Sequence, residues 1–433
     1  MSAIAQPSQP PADDGDALIA RLRELPGAAE LIALAEARGG VELVGGAVRD
    51  LLLGRVPREL DAVVAGGVED LASELANALG GRATVHERFG TAEVRAEGIA
   101  VDLASMRAET YPAPGELPEV RPGTPVEDLH RRDFTVNAIA LPLAGERRGE
   151  LRSVEGALED LAARRLRVLH ERSFLDDPTR ILRLVRYAVR LSFSVEPHTA
   201  ELAGSALASG ALDSVSGARL GSELRLAFAE PCAVEILAEL DRLGVFAAWE
   251  AGVGFDEHIA RAALELLPAD ASRRLLLAAS LLLGLAYKLD EEDAEPAMRG
   301  FIYDMELPSG EGDRVFGAAV SAAVVADGVG SVATTADILD LMYRAPVESL
   351  ALAVAVRDLE DGPDSYGRRT IERWLNTMRH VELEVGGEDL IAAGVPEGPE
   401  VGARLEEAYR LLLEEAIEPG RESELRAALG VQL

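Results

Sequence analysis

A single cysteine, Cys232, stands in 433 residues, so an intrachain disulfide is excluded. The six histidines are scattered with no close pairing, which excludes a zinc site of the usual kind. No G-x-S-x-G turn is present to carry a nucleophilic serine. No His-Asp dipeptide occurs, so no appended metal-dependent phosphohydrolase is expected. The longest largely apolar run, around Leu275 to Ala286, is too short to span a bilayer. Residues 1 to 16, MSAIAQPSQPPADDGD, have neither a basic nor an apolar signal region and read as a disordered leader. The expected location is the cytoplasm, away from a membrane.

Lysine is almost absent, Lys288 being the only one, so positive charge rests on arginine. Arginine suits bidentate recognition of phosphates and base edges, although a GC-rich coding bias yields the same ratio. The net charge is −32, awkward for a nucleic-acid binder, whose affinity draws on neutralised phosphates. Its distribution is uneven: residues 161 to 190 hold eight arginines against three acids, a basic island in an acidic chain. A hydrophobic content of 48% and a mean hydropathy near zero describe a globular protein long enough for two to four domains.

The stretch LVGGAVRDLLLGRVPRELDAVV, Leu43 to Val64, organises the rest. Val41 to Val44 predicts a buried strand, and Gly45-Gly46 a turn that something can approach closely. Ala47 to Leu53 predicts a helix whose N-terminus is suited to a phosphate. Glu59 to Val64 predicts a second strand, with Glu59 and Asp61 on one face. Two acids side by side call for a cation. A glycine turn for a triphosphate and a carboxylate pair for Mg²⁺ together meet the needs of nucleotidyl transfer.

The string resembles the head motif of the class II tRNA nucleotidyltransferases and bacterial poly(A) polymerases, GGxVRDxLLGR followed by an Asp-x-Asp strand, with Glu59 replacing the first aspartate. The resemblance runs from about residue 38 to the end and is strongest over residues 41 to 190. It implies an α+β fold: a polymerase beta-like head with a mixed sheet, then an elongated all-helical part. Asp102, on a strand otherwise read as apolar, is implied as a third metal ligand beside Glu59 and Asp61. Gly45, Gly46 and Arg49 are implied to hold phosphates. DLHRRDFTVNAIALPL, Asp128 to Leu143, matches the family's RRDFTxNA string, so Arg132 is implied to contact the nucleotide and Asp133 the sugar. Arg107 to Val120 is Pro- and Gly-rich and predicts a mobile loop; in the family this loop helps change nucleotide specificity, and its full length argues against an enzyme that adds only cytidines.

From Gly156 the chain turns helical. Asp177 and Pro178 open a helix on which Arg180, Arg183, Arg186 and Arg190 form one face and Ile181, Leu184, Val185 and Ala188 the other. Asp176, Asp177 and Arg180 resemble the family's Glu-Asp-x-x-Arg motif, implying that Asp177 and Arg180 read the edge of cytosine or adenine, with Arg183 and Arg186 also binding nucleotide. RLGSELRL, Arg219 to Leu226, and GGEDLIAAGVPEGPEVGARL, Gly386 to Leu405, resemble a later helical motif and the family's tRNA-facing tail; the bland reading of the second is a turn capping two helices. The expected divisions are a leader and helix over 1–37, a head over 38–150, a neck over 151–230, a body over 231–340 and a tail over 341–433. The expected activity is addition of CCA to tRNA from CTP and ATP, with Mg²⁺ as cofactor, tRNA lying along the basic island and the tail, and no DNA partner. An A-adding enzyme, a poly(A) polymerase and a catalytically impaired RNA-binding relative stay open.

Overall fold

The computed structural model describes residues 15–86, 90–362 and 365–430. The expected leader therefore lies, up to residue 14, outside the described residues. The chain divides into two compact units, Met1–Ser216 and Gly217–Leu433.

The first unit opens with α1 (Gly15–Arg23) and α2 (Ala28–Arg38), parted beside Pro26 as proline requires. Then follow β1 (Val41–Val44), α3 (Gly46–Leu52), β2 (Leu60–Val64), α4 (Val68–Leu79), β3 (Arg82–His86), β4 (Thr91–Ala96) and β5 (Ile99–Ser105). Next come β6 (Arg107–Thr110), β7 (Glu119–Pro122), α5 (Pro125–His130), β8 (Ile139–Pro142), β9 (Arg152–Ser153), α6 (Ala157–Ala162), α7 (Ser173–Asp176) and α8 (Thr179–Leu191). Seven strands form one sheet in the order β3-β4-β5-β2-β1-β8-β9. Every pairing in it is antiparallel except β2 with β5, which run parallel with Asp61 opposite Asp102. β1 is buried at all four positions, and its Glu42 is tolerated there because Arg152 Nη1 donates to it at 2.7 Å.

Two local expectations need correction. Glu59 precedes β2 and is exposed, because the chain between Arg55 and Glu59 has not yet joined the sheet; the strand starts at Leu60. The loop expected over Arg107 to Val120 is a hairpin at its base, since β6 and β7 pair from Arg107–Pro122 to Thr110–Glu119. Its tip is held too, Gly115 donating to the Leu175 carbonyl at 3.1 Å. On the arginine face of α8, Arg180 and Arg186 are only 4% and 6% exposed.

The second unit is helical throughout its described residues. Helices Glu311–Gly328 and Val347–Asp361 pack on one another through small and branched residues, Ala322, Val325, Leu350 and Val354 among those fully buried. The segment Glu311–Ser331 is long and apolar enough to cross a membrane by length and composition, although the run Leu275 to Ala286 did not point to it; 44% of its 18-residue window is buried inside this helical core. Gly221 of the RLGSELRL stretch is a close-approach residue: a Cβ there would stand 2.0 Å from the Asp304 carbonyl oxygen. Around the tail string, Gly386 donates to Asp389 Oδ2 at the start of helix Gly387–Ala392, and Leu390, Val401, Ala408 and Leu412 form a small core with Ala427 and Ala428. The string thus caps and packs its own helices.

Candidate active site

β2 and β5 run side by side in register, so Asp61 and Asp102 leave neighbouring strands at the same level. Glu59, two residues earlier, reaches the same place from the segment entering β2. One oxygen from each of the three lies within 4.8 Å of the others. None of the three takes a hydrogen bond or ion pair from any described residue, and Asp102 Oδ1 is buried with no partner. The crowding has an electrostatic cost. Burial, with Asp102 and Glu59 adding repulsion, pushes the Asp61 carboxyl up to about 6 against the opposing pull of Arg132 and Arg49. Asp102 is raised as well, by burial and then by Glu59. Three hard oxygens, an unpartnered carboxylate oxygen on Asp102 and a carboxylate that resists ionisation fit a divalent cation that would supply the missing charge.

Beside the acids stands the glycine turn. Gly45 has φ 65° and ψ −130°, a conformation open to glycine. What approaches it is a side chain: a Cβ on Gly45 would lie 2.8 Å from Arg132 Nη1. Arg132 comes from the end of α5, where Asp128, 1% exposed, aims it by accepting from its Nη2 at 2.9 Å. Its Nε is buried without a partner. The neighbouring Arg131 shares Asp128 and reaches Glu109 of the hairpin at 3.1 Å. The turn and the RRD motif are therefore one construction, the absent side chain of Gly45 making room for a guanidinium near Asp61.

Asp133 and Arg49 are both buried and bonded to other protein groups. Asp133 is 7% exposed; its Oδ1 accepts from the Phe134 amide at 2.8 Å and from Asn137 Nδ2 at 2.9 Å, and its Oδ2 accepts from Arg183 Nε and Nη2 at 2.9 and 2.7 Å. Burial opposes the charge, but the Arg183 cation and the Asn137 and Arg183 hydrogen bonds outweigh it and hold the carboxyl at about 2. The carboxylate is fully engaged with the protein, positioning Arg183. Arg49, 2% exposed, donates from Nε to Asp50 at 2.9 Å and from Nη1 to Asn137 Oδ1 at 2.6 Å. It braces the turn from behind. Gly46 faces Arg49, the Arg49 Nη2 lying 3.5 Å from where a Cβ would be.

At the start of α8, Asp177 Oδ1 accepts from the Thr179 amide and hydroxyl at 3.1 and 2.6 Å and so caps the helix. Arg180 donates to Ser173 Oγ at 2.7 Å, to the Arg131 carbonyl at 3.1 Å and to Tyr111 Oη at 3.4 Å. Arg186 lies 4.8 Å from the centre of the Tyr187 ring, and Arg190 3.8 Å from Asp50. Of the basic island, Arg165 and Arg167 are drawn to the buried Asp160, while Arg164 and Arg172 stay exposed. Reading the sequence missed Tyr111, Asp128, Asn137 and Tyr187. Asp128 and Asn137 lie inside the RRD string and were within reach of inspection; the tyrosines carry no local signal.

Residues 41–167 match the poly A polymerase head domain. Over 206 residues the chain is 42% identical to the A-adding tRNA nucleotidyltransferase of Geobacter sulfurreducens, a stretch that is 47% of this chain and 23% of that one. Over 203 residues it is 43% identical to the CC-adding tRNA nucleotidyltransferase of Deinococcus radiodurans, covering 47% of this chain and 53% of the relative. The chain thus spans between 23% and 53% of the length of these two relatives. In fold it is similar to an apo CCA-adding enzyme, with a TM-score of 0.78 over 97% of this chain and 99% of the other at 24% identity.

Proposed function

We propose that this chain, a member of the poly A polymerase head-domain family, is a template-independent nucleotidyltransferase that adds CCA to tRNA 3′ ends. The observation that carries the reading is the convergence of Glu59, Asp61 and Asp102 beside Arg132. The tRNA 3′ hydroxyl attacks the α-phosphorus of CTP or ATP; the new P–O bond forms as the bond to the β-phosphate oxygen breaks, the hydroxyl proton is lost and pyrophosphate leaves. Glu59, Asp61 and Asp102 would hold Mg²⁺, which when bound neutralises charge developing on the phosphate oxygens. Arg132, aimed by Asp128 across Gly45, offers its cation to the triphosphate. Asp177 and Arg180 read the base: a carboxylate accepts from an exocyclic amine and a guanidinium donates to ring or carbonyl acceptors, which suits cytosine and adenine.

We divide the chain for this purpose into a leader and helix (1–37), head (38–150), neck (151–230), body (231–340) and tail (341–433), acting in the cytoplasm. tRNA meets the exposed Arg164 and Arg172 and the tail, where Tyr343, Arg344, Arg379, Gly402 and Glu406 line a groove of about 890 Å³. The test is incorporation of labelled CTP and ATP into transcripts that lack CCA, CA or A, with Mg²⁺ and with EDTA. Full CCA on the first transcript is expected; no incorporation on any of them overturns the reading. Growth only of the transcript lacking A selects the second reading, an A-adding enzyme, which the full-length hairpin over residues 107–122 and the similarity to the Geobacter sulfurreducens relative favour. Long A tails would instead mark a poly(A) polymerase.

A further inference from the structure

Tyr187 sits where three guanidinium groups meet. The Arg186 Cζ is 4.8 Å from its ring centre, and the Arg49 and Arg183 Cζ atoms are each 5.5 Å away. Each of these arginines belongs to a different part of the construction. Arg49 lies on the helix behind the glycine turn, Arg183 is tied to Asp133 of the RRD string, and Arg186 lies two turns into the helix that Asp177 and Arg180 begin. The ring is itself fixed. Phe134 meets it edge-on at 6.0 Å with an interplanar angle of 87°, and Arg183 Nη2 donates to its hydroxyl at 3.3 Å. Three like charges gathered this closely repel one another. Asp50 pairs with Arg49 and Asp133 with Arg183, and an aromatic quadrupole offers the whole group a further attractive surface that an aliphatic side chain of the same size lacks.

We infer that Tyr187 is a positioning residue for the nucleotide site, its ring holding Arg49, Arg183 and Arg186 in one arrangement before the triphosphate enters. The inference rests on the nucleotidyltransferase reading and makes it specific: the ring, and not the hydroxyl, sets how well an anionic nucleotide is bound, whichever base it carries. Arrangement before binding lowers the ordering cost that the ligand must otherwise meet.

The test compares Tyr187→Leu with Tyr187→Phe in the full chain, measuring KM and kcat for CTP and for ATP with saturating tRNA, and equilibrium binding of a fluorescent ATP analogue without tRNA. The leucine variant is expected to raise KM for both nucleotides by roughly tenfold while kcat falls less than about threefold. Phenylalanine, which keeps the ring, is expected to bring the rise in KM back to about twofold. The analogue's Kd should follow KM. A lower melting temperature shared by both variants with KM unmoved, or equal KM values for leucine and phenylalanine, overturns the inference, as does an effect confined to one base. If wild type incorporates nothing, the nucleotidyltransferase reading fails, and binding of the analogue still judges the ring: no difference between wild type and leucine, or no binding by either, rejects it. Should the leucine variant not fold, Tyr187→Met carries the same comparison.

Discussion

Three carboxylates gather in the first unit with no described cation bonded to them, whereas the arginines beside them each rest on a partner supplied by the protein. Asp61 is pushed up to about 6 and Asp102 is raised with it. Arg132 leans on Asp128, Arg49 on Asp50 and Arg183 on Asp133, whose carboxyl is held at about 2. The acidic wall is left without a bonded cation, and the basic wall is compensated from within. On the proposed reading, the difference shows how a cation and a triphosphate would be met: a cation would relieve a tension that folding created, while a triphosphate would find its cations already oriented. Two neighbouring walls can obey opposite rules because β2 and β5 force Asp61 and Asp102 together by register, while the arginines come on long side chains that reach sideways to partners.

The largest expected effect breaks the acidic wall. Asp61→Asn should lower incorporation by about 10³-fold or more, and it should also stabilise the metal-free protein. The sign follows from the raised carboxyl: the folded state binds this proton more tightly than the unfolded chain does, so stability falls as pH rises from the ordinary carboxylate range through about 6. Urea unfolding in EDTA at pH 7 should show the asparagine variant more stable by about 2 kcal/mol, the gap closing near pH 4. A variant that is inactive and less stable at pH 7 would show that the acids are not crowded. Breaking the basic wall reverses that outcome. Asp133→Ala leaves the Arg183 cation without its carboxylate and should cost about 3 kcal/mol in denaturant unfolding. Because this carboxyl is depressed, its contribution is present above the ordinary carboxylate range and is lost as pH falls through about 2.

A smaller effect sharpens the contrast between base reading and charge placement. Arg180→Ala should relax discrimination against UTP and GTP by roughly tenfold, about 1.4 kcal/mol, in competition assays, with Tyr111 and Ser173 losing a partner. Arg49→Ala should weaken all four nucleotides alike, and a change in base preference there would locate selection elsewhere. The smallest effect concerns the substituted acid: Glu59→Asp should leave kcat within about threefold of wild type, since either side chain can bring an oxygen to the cluster. A hundredfold loss would mean that the extra methylene of Glu59 is required.

Much of the head was legible because its signals are local. The run from Val41 to Val64 carries a strand, a turn, a helix and a strand in one reading frame, whereas Asp102 joined Glu59 and Asp61 only through the family resemblance, the pairing of β2 with β5 being visible in the fold alone. Partners distant in sequence were not legible. Periodicity showed an arginine stripe on α8 but not that Asp133, fifty residues away, would turn Arg183 inward. It likewise put Glu59 on the strand, because alternation alone does not say where the sheet begins. The hairpin was hidden by the Pro and Gly residues at its tip, which mask the short paired ends at Arg107–Thr110 and Glu119–Pro122. In the second unit the packing of Gly221 on Asp304 turns a stretch singled out by resemblance into a contact residue.

The vacancy at Gly45 has a bearing on how this sequence can change. Since a Cβ there would lie 2.8 Å from Arg132 Nη1, positions 45 and 132 are epistatic. Alanine at 45 is strained by its φ of 65° and also collides with a guanidinium whose Nε already lacks a partner. Shortening Arg132 to lysine removes the collision but leaves the strain, so the second substitution rescues only part of the first. Drift along the lineage is therefore ordered. On packing grounds the arginine can be shortened while the glycine stands, but the glycine cannot go first.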